Sequence, residues 1–272
     1  MEKALQALNV SYSYDSSDTV IEDINLCIQD NEFTAIIGRN GSGKTTLLNN
    51  FTGLLRPSAG EIFIRGKNSR LMSVPEISAE IGFVMQNPDR QLFCDTVFDE
   101  LAFALKRAKI PAGEIERRVL DALSACDLLY AKDSFPPALS RGERAKTVIA
   151  SVLAMGPKII ILDEPAGGQD FHSIRMIMDI AAALQRSGHT IIFVTHNMAI
   201  AAQYAKRIIV MENKRIVVDG PPHDVFCNTK EFSPVRPPQI TRLSMELQGK
   251  LALPRPALNV PELGEMLLEG DL

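Results

Sequence analysis

Short apolar runs dominate the first third of the chain. Runs over 10–14, 24–28, 33–37 and 61–66 are rich in Val, Ile, Phe and Tyr and are bounded by Gly, Asn, Asp and Ser, which predicts strands. One helix, opening at Lys44, is expected to interrupt them. From about 87 to 156 the period lengthens, predicting helices over 97–106, 112–126 and 141–155. In the last of these Ala145, Val148, Ile149, Val152 and Leu153 recur at i, i+3, i+4, i+7 and i+8, and Gly156-Pro157 supplies a stop. Its start therefore falls near Ser140. Beyond Pro157 strands and helices alternate: strands over 158–162, 190–194, 208–211 and 215–218, helices over 173–186 and 199–206. This alternation predicts an α/β class with a largely parallel sheet covered by helices. The block at about 87–156 reads as a helical subdomain inserted in a domain spanning 1–230. The remaining 231–272 carries Pro234, Pro237, Pro238, Pro254 and Pro256 and a short apolar stretch over 263–268. It reads as a tail packed on the core or on a second copy.

Composition narrows the classes of function. With 46% hydrophobic residues among 272, the chain has material for a substantial core. A net charge of −4 gives no general basic field, so nucleic acid is not an expected partner. Cys27, Cys94, Cys126 and Cys227 form no Cys-x-x-Cys pair and read as reduced core thiols. Met1-Glu2-Lys3-Ala4 lacks a leader-like apolar region, and no apolar run approaches the ~20 residues that span a bilayer. Any membrane role is expected to run through a partner.

The chemistry concentrates in Gly38-Arg39-Asn40-Gly41-Ser42-Gly43-Lys44-Thr45, set between an apolar strand and a helix start. Glycines let backbone amides turn inward as an anion nest, Lys44 brings a positive charge to the outer phosphates of a triphosphate, and Thr45 offers a hydroxyl to Mg²⁺. Ile159-Ile160-Ile161-Leu162 runs into Asp163-Glu164-Pro165. A sheet interior cannot hold two such charges unpaired, so they belong at the carboxyl end of the strand. There Asp163 can support the Mg²⁺ shared with Thr45, and Glu164 can polarise an attacking water, although acidic residues at strand ends also cap helices. Ile191-Ile192-Phe193-Val194-Thr195-His196 repeats the design, and His196 can reach a terminal phosphate or serve a structural role. His172, His189 and His223 read as surface or packing residues.

The order of motifs over nearly all of 1 to about 230 resembles the ATPase subunits of ABC transporters. Gly38 to Thr46 looks like Walker A, Gln86 like the Q-loop glutamine, Leu139-Ser140-Arg141-Gly142-Glu143 like the signature, Ile159 to Glu164 like Walker B, Ala166 to Asp170 like the D-loop, and Thr195-His196 like the switch histidine. The resemblance implies a P-loop NTPase fold with a RecA-like core, an antiparallel β subdomain and an inserted helical subdomain. It implies ATP and Mg²⁺ as cofactors. It assigns catalysis to Glu164, His196 and Gln86, the metal to Thr45, Gln86 and Asp163, and nucleotide contacts to Gly38, Asn40, Gly41, Ser42, Gly43, Lys44, Thr45 and Thr46. Tyr14 matches the adenine-stacking aromatic, while Tyr12 or Tyr14 also fits a strand core. Ser140 and Gly142 would form a second anion cradle that completes the site of an opposed, head-to-tail subunit, with Asp170 reaching across the interface. Arg141 and Glu143 replace the usual Gly and Gln of the signature, leaving homodimer and heterodimer both open.

Gln86-Asn87-Pro88-Asp89-Arg90-Gln91-Leu92-Phe93 with Thr96 to Phe103 is similar to the Q-loop region of energy-coupling factor ATPases, including cobalt and nickel importers. That likeness implies a peripheral subunit on the cytoplasmic side of the cell membrane. Its implied partners are a second ABC ATPase, a transmembrane coupling subunit and a substrate-binding membrane subunit, together importing a vitamin or a transition-metal ion. Asp95, Asp99 and Glu100 read as a solvated face or as receptors for basic residues of a membrane partner. The alternatives are a soluble ABC-type switch and a half-motor weakened in hydrolysis.

Overall fold

The computed structural model describes residues 2–15, 18–165, 171–227, 235–248, 250–251 and 253–269. Chain order supplies an antiparallel sheet first. β1 (Lys3–Ser13) pairs with β2 (Thr19–Gln29). After β3 (Phe33–Gly38) and α1 (Lys44–Phe51), β4 (Ala59–Ile64) returns to the other edge of β1, and β5 (Lys67–Asn68) completes the order β2-β1-β4-β5. β1 and β2 are longer than the runs over 10–14 and 24–28 predict. Register shifts between Ala7 and Val10 and between Val10 and Tyr12, with Asn9 at φ 49° and Asp23 at φ 50°, break the two-residue period that would have revealed their full length.

Two further elements escape the sequence reading. α2 (Val74–Glu80) is opened by a capping box in which Ser73 Oγ accepts from the Glu76 amide at 3.4 Å and Glu76 Oε2 accepts from the Ser73 amide at 2.8 Å. Seven residues are too few to display a helical period, although Ser-x-x-Glu was legible. β6 (Ile81–Val84), four residues long, follows directly. The helical block is then α3 (Val97–Arg107), α4 (Ala112–Ala125) and α5 (Arg141–Met155), the last ended by Gly156 at φ 77°.

β7 (Ile159–Asp163), α6 (Phe171–Arg186), β8 (Thr190–Val194), α7 (Met198–Tyr204), β9 (Arg207–Glu212) and β10 (Arg215–Gly220) follow. They build a second sheet in the order β10-β9-β3-β8-β7-β6, parallel throughout except for β10. Asn213 and Lys214, both at positive φ, turn β9 into β10 as a two-residue hairpin. Alternate residues of the parallel strands serve two cores. Ile36, Ile161, Ile192 and Ile209 face α1 and the antiparallel sheet, whereas Ile37, Ile160, Phe193 and Val210 face the helices. Every position of β3, β7 and β8 is buried, as expected of strands covered on both faces.

The last part of the chain is more structured than a proline-containing tail suggests. α8 (Pro222–Cys227), α9 (Gln239–Gln248) and α10 (Val260–Glu269) are helical, and Leu253, Ala257 and Leu263 form a small cluster with Ile240, Leu247 and Met266. Val235 and Leu258 join the main core, so this segment packs on the body of the chain. Glu262 fastens it, accepting from the Leu258 amide at 2.7 Å and pairing with Arg255 at 2.9 Å and His223 at 3.2 Å. Among the described residues no helix is long and apolar enough to cross a membrane.

Candidate active site

The adjacency of β3, β8, β7 and β6 brings the ends of four strands to one edge of the sheet, where ligands of open α/β folds sit. From β3 the chain turns through the glycine loop into α1. A Cβ on Gly38, at φ 150°, would meet the Met211 carbonyl oxygen at 2.1 Å. One on Gly43, at φ 99°, would meet Ile21 Cγ2 at 2.5 Å and the Val20 oxygen at 2.7 Å. Both positions exclude a side chain, which keeps the loop backbone tight against the sheet. Gly41 faces open space and Asn40 is exposed, while Thr46 is buried in the first turn of α1.

Lys44 is only 6% exposed, and its Nζ donates to the Gly38 and Arg39 carbonyls, each at 2.9 Å. Burial lowers its pKa, and the charges of Glu164 and Asp163 partly restore it. The buried Ser42 Oγ has no hydrogen-bond partner among the described residues. Both observations suit a loop built to close on an anion: a cation folded back on its own carbonyls, beside an orphaned hydroxyl.

Asp163 ends β7 at 7% exposure. Burial, then the charge of Glu164, pushes its carboxyl up to about 6, against the pull of Lys44, a hydrogen bond from Thr45 and the nearby His196. A cation at this place would relieve that penalty, so Thr45 and Asp163 suit Mg²⁺. Glu164 follows at φ 47°, its amide held by the Val194 carbonyl at 3.1 Å. Both of its oxygens are engaged. Gln86 Nε2 donates to Oε2 at 2.8 Å, and His196 Nε2 lies 2.5 Å from Oε1. His196 is aimed by its neighbours: Thr195 Oγ1 accepts from the Asn197 amide at 3.0 Å, and Asn197 caps α7. Thr45, Gln86, Arg141, Asp163 and Glu164 line one cleft of about 740 Å³.

Ser140 and Gly142 lie at the start of α5. Ser140 is its N-cap, with Oγ accepting from the Glu143 amide at 3.3 Å and Glu143 Oε2 accepting from the Ser140 amide at 2.8 Å. Tyr130 donates to Glu143 Oε1 at 2.5 Å. The Ser140 and Tyr130 hydrogen bonds hold the Glu143 carboxyl below its usual range. Gly142 has Ser173 Oγ 3.2 Å from where a Cβ would stand. Tyr14 is 61% exposed and meets Tyr12 edge-on at 5.0 Å, while Tyr12 packs on the core, so the free ring face belongs to Tyr14. Asp170 and the rest of 166–170 lie outside the described residues.

Sequence reasoning missed the residues that shape the loop after Gln86. Gln91 brackets it, accepting from the Met85 amide at 2.7 Å and donating to the Phe83 carbonyl at 3.2 Å. Glu100, expected on a solvated face or as a receptor for a partner, is 6% exposed and accepts from the Phe93 and Cys94 amides at 2.9 and 2.8 Å. It lies in the first turn of α3, beneath the loop that it ties down. Their bonds to main-chain groups nearby in the chain follow no helical or strand spacing, so neither role is legible in the sequence.

The family described as ABC transporter matches residues 21–167. The chain belongs to it. Among its relatives, a putative ABC transporter ATP-binding protein of Caldanaerobacter subterraneus subsp. tengcongensis is 41% identical over 92% of this chain and 44% of its own length. The chain thus spans less than half the length of that relative. A putative ABC transporter ATP-binding protein of Pyrococcus abyssi is 37% identical over 95% of this chain and 96% of its own length. The energy-coupling factor transporter ATP-binding protein EcfA2 of Symbiobacterium thermophilum is 38% identical over 79% and 76%. Among solved structures, CbiO1 of Clostridium perfringens, described as part of the ABC transporter complex cbiONQ, superposes with a TM-score of 0.78 at 36% identity, covering 83% of this chain and 91% of its own. The two-sheet α/β fold with its helical block is therefore the fold of an ABC transporter ATP-binding domain, from a family of ATPases that bind ATP.

Proposed function

We propose that this chain is the ATP-hydrolysing subunit of an energy-coupling factor type importer, peripheral on the cytoplasmic side of the membrane. The observation that carries the hydrolytic reading is the double engagement of Glu164 by Gln86 and His196, in a cleft that Gln86 and Glu164 share with Thr45 and Asp163, within reach of the charge of the buried Lys44. A carboxylate with both oxygens occupied is a stored base. Phosphate oxygens offered to Gln86 and His196 compete for those donors, and the freed oxygen of Glu164 can then accept a proton from water. Lys44, the loop amides from Gly38 to Gly43 and the hydroxyls of Ser42 and Thr46 hold the phosphates, and Tyr14 stacks on the base. Thr45, Asp163 and Gln86 would hold Mg²⁺, which would supply charge neutralisation for the phosphates.

In this reading Ser140, Gly142 and Asp170 serve the site of a second ABC ATPase packed head-to-tail. The retained carboxylate Glu164 favours hydrolysis over binding alone. Support for the importer class comes from the likeness to EcfA2 and to CbiO1. Beside the loop after Gln86 lies a groove of about 310 Å³ lined by Leu54, Val74, Phe93 and Phe103, the two aromatic rings 4.8 Å apart edge-to-face. Such an exposed apolar groove suits the cytoplasmic helix of a transmembrane coupling subunit. A small membrane subunit would choose the cargo, a vitamin or a transition-metal ion. Glu164→Gln is expected to keep nucleotide binding and to cut steady-state ATP hydrolysis by roughly 10²-fold or more; unchanged turnover would remove Glu164 as the base. Affinity purification from gently solubilised membranes, with a coupling and a substrate-binding subunit co-eluting, tests the importer class.

A further inference from the structure

Arg144 connects two parts of the site that the fold otherwise keeps on separate elements. It sits one turn into α5, its amide bonded to the Ser140 carbonyl at 2.9 Å, and its side chain turns back past the helix start. Nη1 donates to the carbonyls of Leu139 at 2.9 Å and Pro137 at 3.3 Å, the stretch that delivers Ser140. Nε lies 2.7 Å from Asp89 Oδ1, an ion pair by distance whose N–H is not aligned for a hydrogen bond. Asp89 belongs to the short 3-10 turn Pro88–Arg90, whose opening residue Asn87 accepts from the Asp89 amide at 3.0 Å and directly follows Gln86.

We infer that the Asp89–Arg144 pair is a positioning link that sets Ser140 relative to Gln86, an inference that rests on the proposed roles of those two residues. From Glu164 the path runs through Gln86, the closed turn to Asp89, the Arg144 guanidinium and the Leu139 carbonyl to the cap of α5. Each non-covalent step is a polar contact of 2.9 Å or less. The loop is stiff enough to transmit a displacement because Gln91 clamps it on the strand side and Glu100 on the helix side. A guanidinium suits this role, since Nη1 holds two carbonyls while the delocalised charge of the same group faces the Asp89 carboxylate. The pair is partly exposed, with Asp89 at 54% and Arg144 at 22%, so it adds little to global stability. Its loss therefore reports alignment and not unfolding. Neither side chain touches nucleotide in this scheme.

The test uses the full chain with Asp89→Asn, Arg144→Gln, the double variant and Arg144→Lys. Asp89→Asn leaves the carbonyl bonds of Arg144 in place and removes the charge alone. Each of Asp89→Asn and Arg144→Gln is expected to lower kcat for ATP about fivefold to tenfold with KM within about twofold, and the double variant to be no worse than Arg144→Gln. Arg144→Lys should recover part of the loss. Hydrogen exchange without nucleotide gives a readout independent of turnover. Asp89→Asn should speed exchange at residues 139–143 by about threefold or more while residues 148–153 stay unchanged. Multiplying kinetic effects, or unaltered exchange at 139–143 in Asp89→Asn, would overturn the link. A parent chain that hydrolyses no ATP, alone or in its complex, would count against the proposed function, and the exchange experiment would still decide the linkage.

Discussion

The two anion cradles of the proposed site are built on opposite electrostatic principles. Around Lys44 the free chain is under tension: burial lowers the lysine pKa, the Asp163 carboxyl is raised to about 6, and Ser42 Oγ is left without a partner among the described residues. Around Ser140 every group is satisfied from within, since the capping box and Tyr130 together occupy Ser140 and Glu143. The first cradle is incomplete without a ligand, and so gains most from one. The second is a finished helix start that presents α5 at a fixed angle, and in the proposed dimer it engages a nucleotide bound elsewhere. On the proposed function, nucleotide affinity is expected at Lys44, whereas Ser140 contributes geometry.

Four changes break or sharpen this contrast. Lys44→Ala should weaken ATP binding by about 100-fold or more, near 3 kcal/mol, because a charge-assisted contact is lost from a buried site; titration with a fluorescent nucleotide measures it. Asp163→Asn should stabilise the nucleotide-free chain by about 2–3 kcal/mol at pH 7.5 and by about half as much at pH 5. The sign follows from a folded pKa of about 6 against an ordinary 3.8: across that window the folded state binds the extra proton, so stability falls as pH rises, and the variant removes the fall. Thermal melts at the two pH values check it. Ser140→Ala should cost about 1 kcal/mol, a drop of roughly 2–4 °C in Tm, with ATP affinity of the isolated chain unchanged. A loss of affinity there would show that the second cradle contributes to binding in the same chain. The smallest effect concerns Glu143. Its pKa is lowered from the ordinary 4.5, so its support of the Ser140 cap is present above that value and lost as pH falls below it. Exchange at the first amides of α5 should be flat from pH 8 to 5, once corrected for intrinsic rates, and rise in acid.

How legible this was differs by element. The helix at 141–155 and the strand at 190–194 were readable to the residue, because the helix carries one unbroken period with a Gly-Pro stop and the strand is one continuous apolar run with a polar end. The bulged β1, the seven-residue α2 and the four-residue β6 were not, since too few turns or repeats of a period fit within them. The phosphate loop was readable because its chemistry is contiguous from Gly38 to Thr45. Asp89, Gln91, Glu100 and Arg144 were invisible as positioning groups: Asp89 and Arg144 are remote in sequence, and Gln91 and Glu100 bond nearby main-chain groups at spacings that no helix or strand pattern marks. Glu100 shows this most plainly: an acidic residue in the first turn of a helix reads as solvated, yet the Phe93–Cys94 turn folds over it and supplies two donors.

By itself the sequence determined what local periodicity and contiguous motifs can encode: the α/β alternation, the glycine-lysine loop, the carboxylates at the end of an aliphatic strand and the cap at Ser140. Only the tertiary structure decided that β6, β7 and β8 lie side by side, so that Gln86 and His196 each take one oxygen of Glu164. It also decided that the chain after Pro234 forms helices fastened by Glu262. The physical reason is the range of the forces concerned. Backbone propensity and capping act within a few residues, whereas a hydrogen bond to a carboxylate on another strand depends on which strands become neighbours, and that is settled by burial across the whole sheet.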